Sequence, residues 1–121
     1  MDASELAARY VALWNESDPE RRQREIAGLW AENGAIFTAT TEAHGHRALA
    51  ARVADSHDRW VRDRGMVFRY LGNASGHNNA VRFNWDMAPA AGGDPISIGF
   101  DFFVLDERGR IVDDYQFIES P

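Results

Sequence analysis

The chain has 121 residues, a formal net charge of −6 and no cysteine. This length predicts one domain, residues 1–121, large enough for a core and one internal cavity. The acidic balance gives no reason to expect nucleic acid or an anionic membrane as a partner, and the absence of cysteine excludes disulfides and thiolate chemistry. No cationic start precedes an apolar run, and no stretch approaches the roughly 18 apolar residues of a membrane span. We therefore expect a cytoplasmic protein.

The first half of the chain predicts three helices and one short strand. The first helix carries an apolar stripe of Leu6, Tyr10, Leu13 and Trp14 at helical spacing. Asp18 and Pro19 are typical of the start of the second helix, which we expect to end at Asn33-Gly34. A strand at residues 35–40 then leads into a third helix of about five turns. Its apolar stripe is Leu49, Val53, Ser56, His57 and Trp60.

From Met66 onward the apolar residues alternate with a period of two, which is typical of strands. Four strands are predicted, at residues 67–71, 80–87, 96–105 and 111–118, with a tight hairpin turn at 106–110. Segments 73–79 and 89–95 are predicted to be turns. The resulting order, ααβαββββ, indicates an α+β fold in which an antiparallel sheet curls around the helices.

Asp101 lies in the middle of the most apolar stretch of the chain. An ionised group there costs several kcal/mol, as an order of magnitude, unless it is paired or neutralised. Alternation places Ser97, Gly99, Asp101, Phe103 and Leu105 on one face of the strand and Ile96, Ile98, Phe100, Phe102 and Val104 on the other. We expect the second face to be core and the face of Asp101 to line a ligand pocket. The alternative is that Asp101 lies on a solvated face.

Several short segments together carry a family resemblance. They are the helix from Tyr10 to Trp14, Leu29-Trp30-Ala31-Glu32, Gly45-His46-Arg47-Ala48-Leu49, Val81-Arg82-Phe83-Asn84-Trp85, Gly99-Phe100-Asp101 and the hairpin Asp106-Glu107-Arg108-Gly109-Arg110-Ile111. Over nearly its whole length the chain resembles the SnoaL-like branch of the nuclear transport factor 2-like superfamily. The resemblance implies a cone-shaped, strongly curved sheet, three helices closing a deep apolar pocket, and commonly a homodimer through the outer face of the sheet. Because the superfamily includes cyclases, isomerases, epoxide hydrolases and dehydratases, it implies a pocket but not one reaction.

The resemblance also suggests a role for Asp101, which is similar to the acid/base aspartate of SnoaL-type cyclases. The cyclase pattern has a histidine and a tryptophan on the strand after the glycine hairpin, where this chain has Asp114-Tyr115. The ketosteroid isomerase pattern, a tyrosine on the first helix with two aspartates, is met in part by Tyr10 and Asp101. The Asp-Arg-Asp set of limonene epoxide hydrolase has its residue types at Arg82, Asp86 and Asp101.

His57 lies on the apolar stripe of the third helix, so we expect it to face the sheet. Across a cavity from Asp101 it would form a proton-transfer pair; the alternative is a core histidine satisfied by a backbone carbonyl. Tyr10 or Tyr115 would donate a hydrogen bond to a developing oxyanion. The aromatic residues predicted to bind the ligand are Tyr10, Trp14, Trp30, Phe37, Trp60, Phe68, Phe83, Phe103 and Tyr115, although such residues are also typical of a core.

The sequence therefore predicts a protein with a pocket for a small hydrophobic or aromatic molecule. If it is an enzyme, we expect a cofactor-free isomerase, cyclase or dehydratase with Asp101 as the general base. The alternative is a non-catalytic binding or dimeric assembly module of the same fold. His44 and His46 have no third ligand at metal-site spacing, and no glycine-rich phosphate loop is present, so we expect neither a metal nor a cofactor.

Overall fold

The computed structural model describes residues 2–119, which form three α-helices, one π-helical segment and seven strands. The helices are α1 Ala3–Asn15, α2 Pro19–Leu29 and α3 Gly45–Ser56, and α3 continues into the π-helical segment His57–Arg62. The strands are β1 Trp30–Phe37, β2 Glu42–His44, β3 Met66–Tyr70, β4 Ser75–His77, β5 Ala80–Pro89, β6 Ser97–Leu105 and β7 Ile111–Glu119. Within residues 2–119, no helix is both long and apolar enough to cross a bilayer.

The strands form one open, mixed sheet in the order β2-β1-β7-β6-β5-β3, with β4 paired to β5. All pairings are antiparallel except that of β1 with β7, which is parallel. The predicted α+β architecture and the order of its main elements are confirmed. Two short strands were not predicted: β2 pairs with β1, and β4 lies inside the segment predicted to be a turn.

The predicted end of the second helix at Asn33-Gly34 is wrong, because α2 ends at Leu29 and β1 begins with Trp30. Gly34 serves a different purpose there. A Cβ atom at position 34 would lie 2.6 Å from Trp30 Cδ1 and 2.7 Å from the carbonyl oxygen of Ile111. The glycine is therefore required by close packing within the strand region rather than by the end of a helix.

One face of the sheet packs against the helices and holds the core. On β6, the face that lies in the core is the opposite of the one predicted from the sequence. Gly99, Asp101 and Phe103 are buried on the inner face. The face predicted to be core is the outer one: Ile96 and Phe102 are exposed, and Ile98, Phe100 and Val104 are only half-buried. The small and polar residues face inward because they leave room for large side chains that arrive from α1 and β5.

Candidate active site

The site is built around Asp101 by the register of three neighbouring strands. Asp101 on β6 is paired with Phe83 on β5 and with Gln116 on β7. Asp114 is paired with Phe103, two residues from Asp101, and is therefore its diagonal neighbour on the same face. Side chains in this diagonal relation are within reach of each other. The sheet thus brings two carboxyl groups together on the face that the helices cover.

Tyr10 on α1 joins the two carboxyl groups. Its Oη atom lies 3.0 Å from Asp101 Oδ2 and 2.5 Å from Asp114 Oδ2. Trp85 Nε1 donates a hydrogen bond of 2.6 Å to Asp101 Oδ1, and Gln116 Nε2 lies 3.4 Å from both carboxylate oxygens of Asp101. We call these five residues the Tyr10 network. All of them are buried, and Asp101 and Asp114 are completely so.

The network must hold one proton more than the tyrosine supplies, because a hydroxyl group has a single proton and cannot donate to both carboxylates. Burial and the charge of Asp101 raise the pKa of Asp114 well above its usual range. Burial also raises the pKa of Asp101, but the neighbouring Asp114 carboxyl group and hydrogen bonds from Trp85 and Tyr10 oppose that increase. Asp114 therefore carries the proton and donates it to Tyr10, and Tyr10 donates to the ionised Asp101. Asp114 Oδ1 has no hydrogen-bond partner among residues 2–119, which a neutral carboxyl group tolerates better than a carboxylate does.

The indole of Trp85 reaches Asp101 because the residue opposite it, Gly99, has no side chain. A Cβ atom at position 99 would lie 1.9 Å from Trp85 Cε2 and 2.1 Å from Cζ2. Such contacts are far inside van der Waals distance, so the ring lies directly over the glycine backbone. Gly99 thus positions the hydrogen-bond donor that stabilises the charge of Asp101.

A pocket of about 400 Å³ opens beside the network. Its lining includes Tyr10, Trp85 and Gln116, but not Asp101 or Asp114. The other lining residues are Val11, Trp14, Thr40, Thr41, Arg52, Asp55, Ser56, Arg59, Trp60, Phe68, Met87, Ser97 and Ile118. Asp101 therefore does not open directly onto the pocket as expected, and both carboxyl groups can influence a ligand only through the network residues in front of them.

Comparisons with known proteins identify the family. A structure of a candidate isomerase of the SnoaL-like family from Agrobacterium tumefaciens shares 30% sequence identity, covers 99% of this chain and 100% of its own, and superposes with a TM-score of 0.88. The chain belongs to the SnoaL-like family. Two structures with lower identity share the fold. A candidate polyketide cyclase from Sinorhizobium meliloti is 11% identical, with 98% of this chain and 100% of that chain covered, and its TM-score is 0.70. A SnoaL-like protein of unknown function from Burkholderia thailandensis is 12% identical, with 98% and 94% covered, and its TM-score is 0.72.

No profile of a protein family matches the sequence, and no curated protein matches it closely enough to be reported. The SnoaL-like assignment therefore depends on the similarity of structure and sequence to the solved protein from Agrobacterium tumefaciens. It establishes a ligand-binding fold of the nuclear transport factor 2-like type. Within residues 2–119, no three histidine, aspartate or glutamate side chains are placed to hold a metal ion.

The SnoaL-like pocket contains four of the nine aromatic residues predicted to bind a ligand, namely Tyr10, Trp14, Trp60 and Phe68. Three others are completely buried in the core and surround the ring of Tyr10, with centroid distances of 5.5 Å to Trp30, 5.7 Å to Phe83 and 4.9 Å to Phe103. The last two, Phe37 and Tyr115, stack at 5.1 Å and line an adjoining groove of about 490 Å³. The buried rings therefore support the position of Tyr10 and do not line the pocket.

His57 is buried, as its place on the helical stripe predicts, but it does not pair with Asp101. Burial and the positive charge of Arg22 lower the pKa of His57, and the other charges around it are Asp58, Arg62 and Glu16. Its Nε2 atom has no hydrogen-bond partner among residues 2–119, and it does not line the pocket. The expected proton-transfer pair is therefore not formed, since His57 faces the connection between α1 and α2.

Three members of the network were missed as site residues in the sequence. Asp114 stands where the cyclase pattern has histidine, and that substitution is the signal that could have identified it. Gln116 follows it by two residues on the same strand face. Nothing in the alternating pattern around Trp85 shows that its indole N–H reaches a carboxylate.

Proposed function

We propose that the pocket binds a small, largely apolar molecule and that the Tyr10 network moves a proton to and from it without a cofactor. The observation that supports this proposal is the position of Tyr10, which lines the pocket and also contacts two buried carboxyl groups. A ligand that touches Tyr10 is connected to a pair of acids that together hold one proton and one negative charge. Isomerisation, in which a proton is removed at one position and returned at another, fits this arrangement best.

Proton removal is the favoured direction of the first step. A C–H bond of the ligand breaks, its proton bonds to the oxygen of Tyr10, and the original proton of Tyr10 passes to Asp101. The electron pair stays on the ligand as an enolate, and the network changes from one negative charge to none. Transfer from Tyr10 to the ligand would instead leave both buried carboxyl groups ionised, which burial and their mutual repulsion disfavour.

Asp101 is thus the general base, and it acts through Tyr10. Gln116 also lines the pocket, and its hydrogen bonds to the network are long, at 3.4–3.5 Å. Its amide can therefore turn to donate to an enolate oxygen when a ligand is present. The solved SnoaL-like protein from Agrobacterium tumefaciens is itself described as a candidate isomerase, which agrees with this reaction class.

The experiment starts with a thermal-shift screen of ketones, steroids, polyketide-like aromatics and terpene epoxides, because a ligand that binds only the native state raises its melting temperature. Ketone hits are then incubated in D₂O, and exchange of their α-protons is followed by NMR. Asp101→Asn should keep the fold and the ligand-induced shift but reduce exchange by about 10²- to 10⁴-fold, since the amide cannot accept the proton. Asp113→Asn changes the neighbouring strand outside the network and should exchange like the wild type.

A non-catalytic binding module is the second candidate function. It is favoured by one observation, that neither carboxyl group lines the pocket. In such a module the network has a structural role alone and holds α1 against the sheet. Ligands that raise the melting temperature but show no proton exchange in the wild type would support this reading. Exchange that persists in Asp101→Asn would show that Asp101 is not the base.

We also propose that a second copy of the chain covers the outer face of the sheet. Phe102, Tyr115 and Phe117 are exposed on it, and the rings of Phe100 and Phe117 lie 6.1 Å apart. A patch that spans β6 and β7 is suited to a two-fold contact with itself, because one surface then covers its own equivalent. Sedimentation at micromolar concentration should show a dimer, and Phe117→Glu should give monomers. A wild-type protein that sediments only as a monomer would contradict the proposal.

A further inference from the structure

Arg52 is a cation without a partner inside the pocket. It lies on α3, half-buried, and among residues 2–119 it makes neither an ion pair nor a side-chain hydrogen bond. Its Nε atom is buried and unpaired. By contrast, Arg9 is paired with Glu25 at 2.9 Å and Arg69 with Asp86 at 2.7 Å. An N–H donor that is withdrawn from water without an acceptor, as this one is, stays unsatisfied until a ligand supplies one.

The charges around the pocket favour an anion. The chain as a whole is acidic, with a net charge of −6, but its pocket is lined by Arg52 and Arg59 against a single acid, Asp55. Asp55 is exposed and forms no ion pair with either arginine. The charge of Arg52 lowers the pKa of Asp114, but burial and the charge of Asp101 outweigh it, and no ion pair joins the two side chains among residues 2–119. The pocket therefore has an excess positive charge in an otherwise negative protein.

Polar and aromatic residues are separated within the pocket. Four residues line both the pocket and the adjoining groove and so stand where the two cavities meet: the polar Arg52, Gln116 and Thr40, and Ile118. Trp14, Trp60, Phe68 and Trp85 line the pocket alone. A ligand that fills this space would place an apolar body among the aromatic rings and an acidic group beside Arg52.

We propose that Arg52 binds a carboxylate, so that the ligand of this pocket is a small aromatic or hydrophobic carboxylate. The planar guanidinium group presents parallel N–H donors that match the two oxygens of a carboxylate. The inference rests on the proposed function only in requiring that the pocket binds a small molecule. It adds which charge the ligand carries and which residue recognises it.

Two probes of equal shape test the proposal by isothermal titration: 2-naphthoate, which is charged, and 2-naphthamide, which is neutral. The wild type should bind naphthoate about 10-fold more tightly than naphthamide, as a charge-assisted pair requires. In Arg52→Gln this preference should fall to about 1, with naphthamide affinity unchanged, whereas Arg52→Lys should keep part of it. Arg47→Gln removes a positive charge from the exposed side of the same helix, outside the pocket lining, and should keep the full preference.

The outcomes separate this inference from the proposed function. Equal binding of both probes by the wild type, or a preference that survives in Arg52→Gln, would overturn the carboxylate site and leave the pocket in place. Binding of neither probe by any folded variant would overturn the carboxylate site together with a pocket for aromatic ligands. Thermal unfolding of each variant shows whether it is folded, and Arg52→Lys supplies a result if Arg52→Gln is not.

Discussion

At pH 8 the Asp114→Asn variant should be more stable than the wild type, and its advantage should disappear toward pH 4. The pKa of Asp114 in the folded protein is raised well above its usual range by burial and by the charge of Asp101. Between the unfolded pKa, about 3.9, and the folded value, the folded protein holds a proton that the unfolded chain has released. The stability that this proton contributes is fully present below the unfolded pKa and is lost as pH rises through the folded pKa, by at most about 1.4 kcal/mol per pH unit.

Asparagine removes this dependence because its amide is neutral at every pH and can donate to Tyr10 from the position of the carboxyl proton. The measurement is the free energy of unfolding in urea between pH 4 and pH 8, plotted as the difference between variant and wild type. Asp113→Asn, on the same strand but outside the network, is the control and should leave the slope of the wild type unchanged. An Asp114→Asn protein with the slope of the wild type would show that Asp114 is not the group that holds the proton.

Tyr10→Phe should lower both stability and activity more than the loss of one ordinary hydroxyl group. Without the hydroxyl, the proton of Asp114 loses its acceptor and the charge of Asp101 loses one of its donors. Each such loss in a buried site costs about 1–3 kcal/mol, so we expect the two together to lower the free energy of unfolding by about 2–6 kcal/mol. Proton exchange of a bound ketone should fall by about 10²- to 10⁴-fold, because the hydroxyl group that passes the proton between the ligand and Asp101 is removed.

Tyr70→Phe is the matched control. Its hydroxyl also makes two hydrogen bonds, at 3.2 Å with Ser4 Oγ and at 2.9 Å from the backbone N–H of Ala74, but it does not line the pocket. Removing it should cost about 1 kcal/mol and leave exchange unchanged. The assigned role of Tyr10 would be refuted if both substitutions had the same effect on exchange.

The sequence predicts the fold well because the spacing of its apolar residues changes clearly at Met66, from the helical period to the period of two that is typical of strands. The helical stripe of the first helix and the period-two segments after Met66 correspond to α1 and to β3, β5, β6 and β7. The third helix is also found, but its last turns are π-helical from His57 onward. A π-helical segment changes the angle between successive residues, so that Trp60 lines the pocket while His57 faces Arg22. The prediction assumed the α-helical period of about 3.6 residues throughout, and so it could not place both side chains correctly.

The candidate site is predicted only in part, and the reason is a β-bulge. Regular pairing across the hairpin from Leu105 and Ile111 would place Tyr115 opposite Asp101 and on its face. The structure shifts register by one residue between Val104 and Leu105, which places Gln116 opposite Asp101. A shift of one residue exchanges the two faces of a strand, so β7 turns Asp114 and Gln116 inward and Tyr115 outward. Nothing in the hairpin sequence indicates this bulge.

The position of β7 has a consequence for how the protein folds. It is the last strand along the described chain, yet it lies inside the sheet between β1 and β6, where it pairs in parallel with the first strand. Tyr10 meets Asp114 across 104 residues of sequence. During synthesis, one edge of β1 and one edge of β6 therefore remain unpaired until β7 is made. Contacts between residues so distant in sequence form slowly. Asp101 acquires its proton-carrying neighbour only at that last step.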